Sequence, residues 1–325
     1  MPLRFVFRTS IFLLSLLLPG CVAPSQPAGG AAARELLTPW SMVTGGPLLQ
    51  TSATGGLQQG MAGFVQLRHP TAVSVLNNDV YLADASLRRI YRYSRTRQTF
   101  EPFTDLVADA AMRIYASPDL TVYVTDAARS RVLQYSRDGQ LLRTYSSEMN
   151  LGRPVAVTQD ASGGLLVADG LYGQVVSFNR LGLPLFVADR RGIEDRVQGI
   201  SDMARGPEGL YLLDRLGAQV VLLGLNGEYR MSFGKGELSQ PGAIAADRSG
   251  RVYVSDNFDN SISIYSRGKR LAKYGSSGSM PGAFNQITAL WADEGKLYVA
   301  DSLNARIQIL LVSPASAGGK DGRHE

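Results

Sequence analysis

Six aspartates recur along the 325-residue chain at near-constant spacing: Asp84, Asp126, Asp169, Asp214, Asp256 and Asp301, separated by 42, 43, 45, 42 and 45 residues. Each ends a short apolar run, from VYLAD at the first to LYVAD at the last. A carboxylate at such a point can accept hydrogen bonds from the N–H groups of the loop that follows and fix its turn. A catalytic group should break a repeat rather than follow it, so the six are expected to be structural. Groups for acid–base or nucleophilic chemistry are otherwise scarce. The chain has two histidines, His69 and His324, and one cysteine, Cys21. A Ser-His-Asp mechanism could be built only on His69, and an intrachain disulfide or a cysteine-based zinc or iron–sulfur site is excluded. We therefore assign no catalytic residue, no metal site and no cofactor. Calcium is the one metal the composition leaves open. The densest oxygen cluster, Asn257-Phe258-Asp259-Asn260, reads as a turn.

The elements that carry these residues follow from the same repeat. A period in this range marks a propeller or a solenoid, and the content of the period decides between them. Each copy holds about four β-type runs separated by Gly, Asn, Asp or Ser, with no amphipathic helical stretch. In the fifth copy they are Gly242–Asp247, Arg251–Asp256, Ser261–Ser266 and Lys269–Gly275. The first three are apolar on both faces, as a sheet packed between two neighbours requires, and the fourth is more polar, as an outer edge should be. Six periods of four strands predict an all-β, six-bladed propeller of antiparallel blades.

The copies at Gln240–Tyr265 and Phe284–Ile309 resemble the NHL repeat, and the resemblance covers roughly residues 45–312. Relatives of that kind include zinc-dependent amidating lyases, calcium lactonases and strictosidine-synthase-like enzymes. The zinc enzymes' histidine ligands have no counterpart here. The last copy stops after its third strand, Arg306–Val312, so an N-terminal strand is expected to complete the sixth blade. Pro47–Ser52 is the expected segment, because Gly55–Phe64 parallels Gly275–Phe284, which follows an outer strand.

In a propeller, the residues before each inner strand and the loops after each repeat aspartate share one face. On this chain they are His69, Arg131, Arg153, Tyr172, Gln198, Gln240, Phe258, Gln286, Asn304 and Arg306. This set is rich in donors, poor in carboxylates and without a base–nucleophile pair, which suits recognition of a polar ligand or a peptide segment. The basic run Arg88–Arg97 holds five arginines interleaved with Tyr91 and Tyr93. It suits an anionic partner or an edge strand that resists pairing.

The N-terminus carries Arg4 and Arg8, an apolar stretch Ile11–Leu18, and Leu18-Pro19-Gly20-Cys21. The apolar stretch is too short to span a bilayer, which takes about 20 residues. The motif resembles the lipobox of bacterial lipoproteins, which implies cleavage before Cys21 and a lipid on its sulfur and new amine. One acyl chain anchors marginally and more than one anchors stably. The absence of Asp after Cys21 implies the outer membrane. The expected divisions are 1–20 signal peptide, 21–36 tether, 37–312 propeller and 313–325 tail. The formal charge is +5, with 33 basic residues against 28 acidic, and it falls when Arg4 and Arg8 are removed. A surplus of this size calls for no nucleic acid. The expected protein is a lipid-anchored, non-catalytic binding scaffold of the bacterial envelope, partnered by another envelope protein or by a polar or anionic ligand. The alternative is a metal-assisted, lactonase-like hydrolase or a lyase on the same face.

Overall fold

The computed structural model describes residues 35–49, 61–147, 149–188, 193 and 196–314. The leader and Cys21, most of the tether and residues 315–325 lie outside them. Six antiparallel sheets stand around an axis, and each repeat supplies one of them. Blade 1 is β4 (Pro70–Leu76), β5 (Asp79–Asp84), β6 (Arg89–Ser94) and β7 (Thr99–Thr104). Blade 2 is β8 (Ile114–Ala116), β9 (Thr121–Asp126), β10 (Arg131–Ser136) and β11 (Leu141–Ser146). Blade 3 is β12 (Pro154–Gln159), β13 (Leu165–Asp169), β14 (Gln174–Phe178) and β15 (Pro184–Ala188). Blade 4 is β16 (Ile200–Gly206), β17 (Gly209–Asp214), β18 (Gln219–Leu223) and β19 (Tyr229–Phe233). Blade 5 is β20 (Pro241–Ala246), β21 (Arg251–Asp256), β22 (Ser261–Ser266) and β23 (Lys269–Tyr274).

Blade 6 has three strands from the C-terminal end of the chain, β24 (Ile287–Asp293), β25 (Lys296–Asp301) and β26 (Arg306–Val312). Its fourth is β1 (Leu37–Val43), which runs antiparallel to β26 from Leu37↔Val312 to Val43↔Ile307. The ring is thus closed by an N-terminal strand, but not by Pro47–Ser52. Pro47–Leu49 belongs to β2 (Gly45–Leu49), which pairs with β3 (Met61–Gln66) and touches β7 at Leu48↔Phe100, extending blade 1 outward. The physical reason is burial. Leu37 enters the apolar cluster between blades 5 and 6, and Val43 enters the one between blades 6 and 1. The Met61–Phe64 stretch that mimics a post-strand loop is itself edge strand.

Six apolar clusters fill the six junctions between neighbouring blades. The tyrosine three residues before the repeat aspartate is fully buried in five blades, as Tyr81, Tyr123, Tyr211, Tyr253 and Tyr298; Leu166 takes its place in blade 3. Burying each large side chain contributes about 1.5–3 kcal/mol. The second strand of blade 5 is buried along its whole length, whereas its outermost strand is largely exposed. This is the gradient expected of sheets that touch through both faces near the axis and meet water at the rim.

Candidate functional site

The aspartates tie two loops together on one face of the disc. Asp84 accepts hydrogen bonds from the N–H groups of Arg68 (2.7 Å), His69 (3.0 Å) and Leu87 (2.9 Å). Asp169 does the same for Gly152, Arg153, Leu171 and Tyr172. Asp214 holds Gln198, Gly199 and Gly217, and Asp256 holds Ser239, Gln240 and Phe258. Each of these four carboxylates pins the head of its inner strand to the loop after its second strand, Asp301 takes the N–H of Asn285, and Asp126 accepts instead from the side chains of Arg129 and Arg131. This arrangement uses the carboxylates as acceptors of N–H groups that would otherwise be buried and unpaired.

The ten candidate residues divide by environment. Arg153, Gln198, Gln240, Gln286 and Phe258 are exposed, and Tyr172 is partly so. The Gln286 amide is held by the Asn260 side chain at 2.7 Å. His69 is half-buried, and its Nε2 is buried without a hydrogen-bond partner. Arg131 donates its Nε to Asp126 at 2.8 Å. Asn304 donates to both Asp301 oxygens and to Gly278 O. Arg306 is buried: its Nε lies 2.7 Å from Asp301, and its Nη atoms donate to the carbonyls of Ser279, Met280 and Ala283. It is built into blade 6 and presents nothing to a ligand.

The loop cluster Asn257–Asn260 is also occupied internally. Asn257 Oδ1 accepts from Ile287 N and Asn260 Oδ1 from Gln286 N, which joins blades 5 and 6. Asp259 pairs with Lys273. Among the described residues no three His, Cys, Asp or Glu side chains gather as a metal-holding group. The Arg-rich run centres on β6, an interior strand flanked by β5 and β7, and ends with Arg95 and Arg97 in the turn that follows, so it is not an edge. Arg92 pairs with Glu101 and Asp138, Arg97 pairs with Glu101, and Arg95 donates to Asn77 O.

Sequence reasoning missed two features. The first is a row of exposed apolar side chains two residues after the repeat aspartate. Leu171 (62% exposed), Leu216 (72%), Phe258 (70%) and Leu303 (58%) occupy this position in blades 3 to 6. Blades 1 and 2 place Ser86 and Ala128 there, next to exposed Arg88, Arg89 and Arg129. The signal was in the repeat, since the position is fixed relative to the aspartate. The second is an axial cavity of about 820 Å³ lined by the inner strands of all six blades. It reaches the opposite face, through the turns that follow the inner strands, at residues such as Asn77, Pro118, Pro207 and Glu294. None of the ten candidate residues lines it.

No protein-family model matches the sequence, and neither does any curated protein. Solved structures share the fold. Virginiamycin B lyase from Staphylococcus aureus aligns with 75% of this chain and 95% of its own, at 12% identity and a TM-score of 0.57. A protein of unknown function from Bacteroides thetaiotaomicron aligns with 76% of this chain and 70% of its own, at 15% identity and a TM-score of 0.64. The nidogen/laminin complex aligns with 66% of this chain and 86% of the matched one, at 16% identity and a TM-score of 0.54. Identities this low bear on architecture alone: the chain is a six-bladed β-propeller.

Proposed function

We propose that the chain is an envelope lipoprotein, anchored through Cys21, whose propeller recognises a partner through the repeat-aspartate face and performs no catalysis. The observation that carries recognition is the apolar row Leu171, Leu216, Phe258 and Leu303, continuous over four neighbouring blades and flanked by exposed arginines on the other two. Scattered exposed leucines are ordinary, but a large apolar side chain exposed at the same loop position in four consecutive blades, beside polar groups, supports an interaction surface. The pattern suits a protein partner with an apolar centre and an acidic margin, such as another envelope protein.

The anchor rests on the lipobox-like Leu18–Cys21, and outer-membrane placement rests on the residue after it. Three variants test the reading together. Cys21→Ser should release the protein from membranes, and retention with continued palmitate labelling would refute the anchor. The pair Leu171→Asp with Phe258→Asp should abolish crosslinking to partners in native membranes, while Arg153→Ala with Gln198→Ala should weaken it. Undiminished crosslinking in the Asp pair, with unchanged melting, would refute the face.

A metal-assisted hydrolase or a lyase on the same face is the second reading. It is favoured by His69 Nε2, a buried nitrogen without a partner at the head of an inner strand. Stoichiometric zinc or calcium in purified mature protein would support it over recognition.

A further inference from the structure

The axial cavity departs from the symmetry of the ring at two levels. At its inner level, each blade places one residue opposite the position just before the repeat aspartate. In four blades this residue is alanine: Ala72 faces Ala83, Ala156 faces Ala168, Ala289 faces Ala300, and Ala243 N is bonded to Ser255. Blade 2 instead carries Arg113, bonded to Thr125, and blade 4 carries Asp202, opposite Leu213. The two charged side chains approach across the axis, with Arg113 Nε 3.9 Å from Asp202.

Asp202 has a structural occupation, since its oxygens accept the N–H groups of Met203 (2.9 Å) and of Ile244 in the next blade (3.2 Å). Arg113 is its counter-charge across the axis, at a distance too long for a hydrogen bond: it gives one Nη to Met112 O, and its Nε is buried with no hydrogen-bond partner. An alanine would fill the position as it does in four other blades, so packing does not account for the arginine.

Two residues further along, the inner strands carry Ser74, Tyr115, Thr158, Ala204, Ala245 and Trp291, each opposite the third residue before the repeat aspartate, and all but Ser74 line the cavity. The aromatic members come together, with ring centroids 5.8 Å apart. Trp291 Nε1 is a second buried donor without a partner. The volume suits a small organic molecule. Unpartnered donors beside an aromatic wall suit a ligand that brings acceptor oxygens and a flat apolar body. A guanidinium binds a carboxylate more strongly than a neutral carbonyl because the hydrogen bonds are charge-assisted. Burial holds the Asp202 carboxyl above its usual range, against the opposing pull of Arg113.

We propose that the axial cavity, on the face opposite the repeat-aspartate loops, is a binding site for a small aromatic carboxylate, held by Arg113 and Trp291 Nε1 with its ring against Tyr115 and Trp291. This site is independent of the recognition face, and either can fail alone.

The chain has two tryptophans, and the other, Trp40, lies exposed on β1. Trp40→Phe therefore leaves Trp291 as a reporter inside the cavity. Phenylacetate should quench its emission saturably, and the neutral isostere phenylacetamide should bind at least tenfold more weakly. Arg113→Met should erase that preference, and Ala204→Trp, which fills the wall, should block both molecules; melting curves establish that each variant is folded. Should a variant fail to fold, the comparison of the two probes on the Trp40→Phe protein still decides. Absence of quenching at millimolar phenylacetate, equal binding of the amide, or an unchanged preference in folded Arg113→Met would overturn the proposal.

Discussion

Arg306 Nε sits 2.7 Å from Asp301 in a pair whose side chains are 7% and 0% exposed. The same arginine donates to three carbonyls of the Ser279–Ala283 segment, and Gln308 donates to Ala283 O and Asp301. The repeat aspartate of blade 6 is thereby the hub of a network that folds the loop between blades 5 and 6 over the start of β26. Removing one member of a buried pair leaves an uncompensated charge, which costs about 3–5 kcal/mol. Arg306→Ala is therefore expected to lower the urea midpoint strongly. Arg131→Ala, whose arginine makes the matching contact with Asp126 at 32% exposure, should cost about 1 kcal/mol or less. Equal losses in the two variants would show that the network around Arg306 adds nothing to the pair.

Ring closure gives a second expectation. Deleting residues 36–43 removes β1, leaves β26 as a bare edge and empties the places of Leu37 and Val43 in two inter-blade clusters. A single Leu37→Ala should cost about 2–5 kcal/mol. Deleting residues 22–33, which precede the first strand, should leave the melting temperature unchanged. Thermal melts of the two deletions compare them directly, and coincident curves would contradict closure by β1.

The repeat was legible because packed blades impose one pattern six times, and each VYVSD-like run announces a buried strand and its terminal acceptor together. Closure by an N-terminal strand was legible too, but the segment that supplies it was not. β1 shows two buried positions with five exposed ones between them, and its register shifts between Pro39 and Ser41, so no alternation marks it. Pro47–Ser52 looked the better strand because a similar motif follows it, and similarity of loop sequence does not fix which edge a strand joins. For the site, the exposed face could be listed from the period. The burial of Arg306 could not, because it depends on how the Ser279–Ala283 segment, far away in sequence, folds back over it. The Arg113–Asp202 break was visible in principle as two charges in a column of alanines. It required the bulged register of the inner strands, which only the structure supplies.

Asp247 should make stability pH-dependent in a defined direction. Burial pushes its carboxyl upward, but hydrogen bonds from Ser249, the Arg251 amide, Tyr253 and the Arg251 side chain outweigh this and hold it below the ordinary range. The folded carboxyl is thus more acidic than the unfolded one, near 3.9. Its contribution is complete above the unfolded value and is lost as pH falls through the folded one. Asp247→Asn should be less stable than the parent at neutral pH, with the gap closing as pH drops below about 4. Arg251 also donates to Ser313 O, just beyond β26, so proteolysis of the C-terminal end should rise in the variant. A gap independent of pH would remove the carboxylate from this account.

The spacing of blades 1 and 2 should depend on one turn. Gly139 has φ +83°, and a Cβ there would lie 1.7 Å from the Phe103 carbonyl oxygen of the neighbouring blade. Gly236 has nearly the same backbone, φ +80°, but a Cβ on it would meet nothing within 4 Å. Alanine at either position bears the left-handed backbone strain, about 1 kcal/mol. At Gly139 alone it must also push a backbone carbonyl aside, and with it Phe103, whose ring packs edge-on against Tyr81 of its own blade and Tyr135 of the next. Gly139→Ala should therefore cost several times as much as Gly236→Ala in chemical denaturation. Because the two share φ, the difference measures the inter-blade contact itself, and matching losses would mean that the blades can part at this turn without penalty.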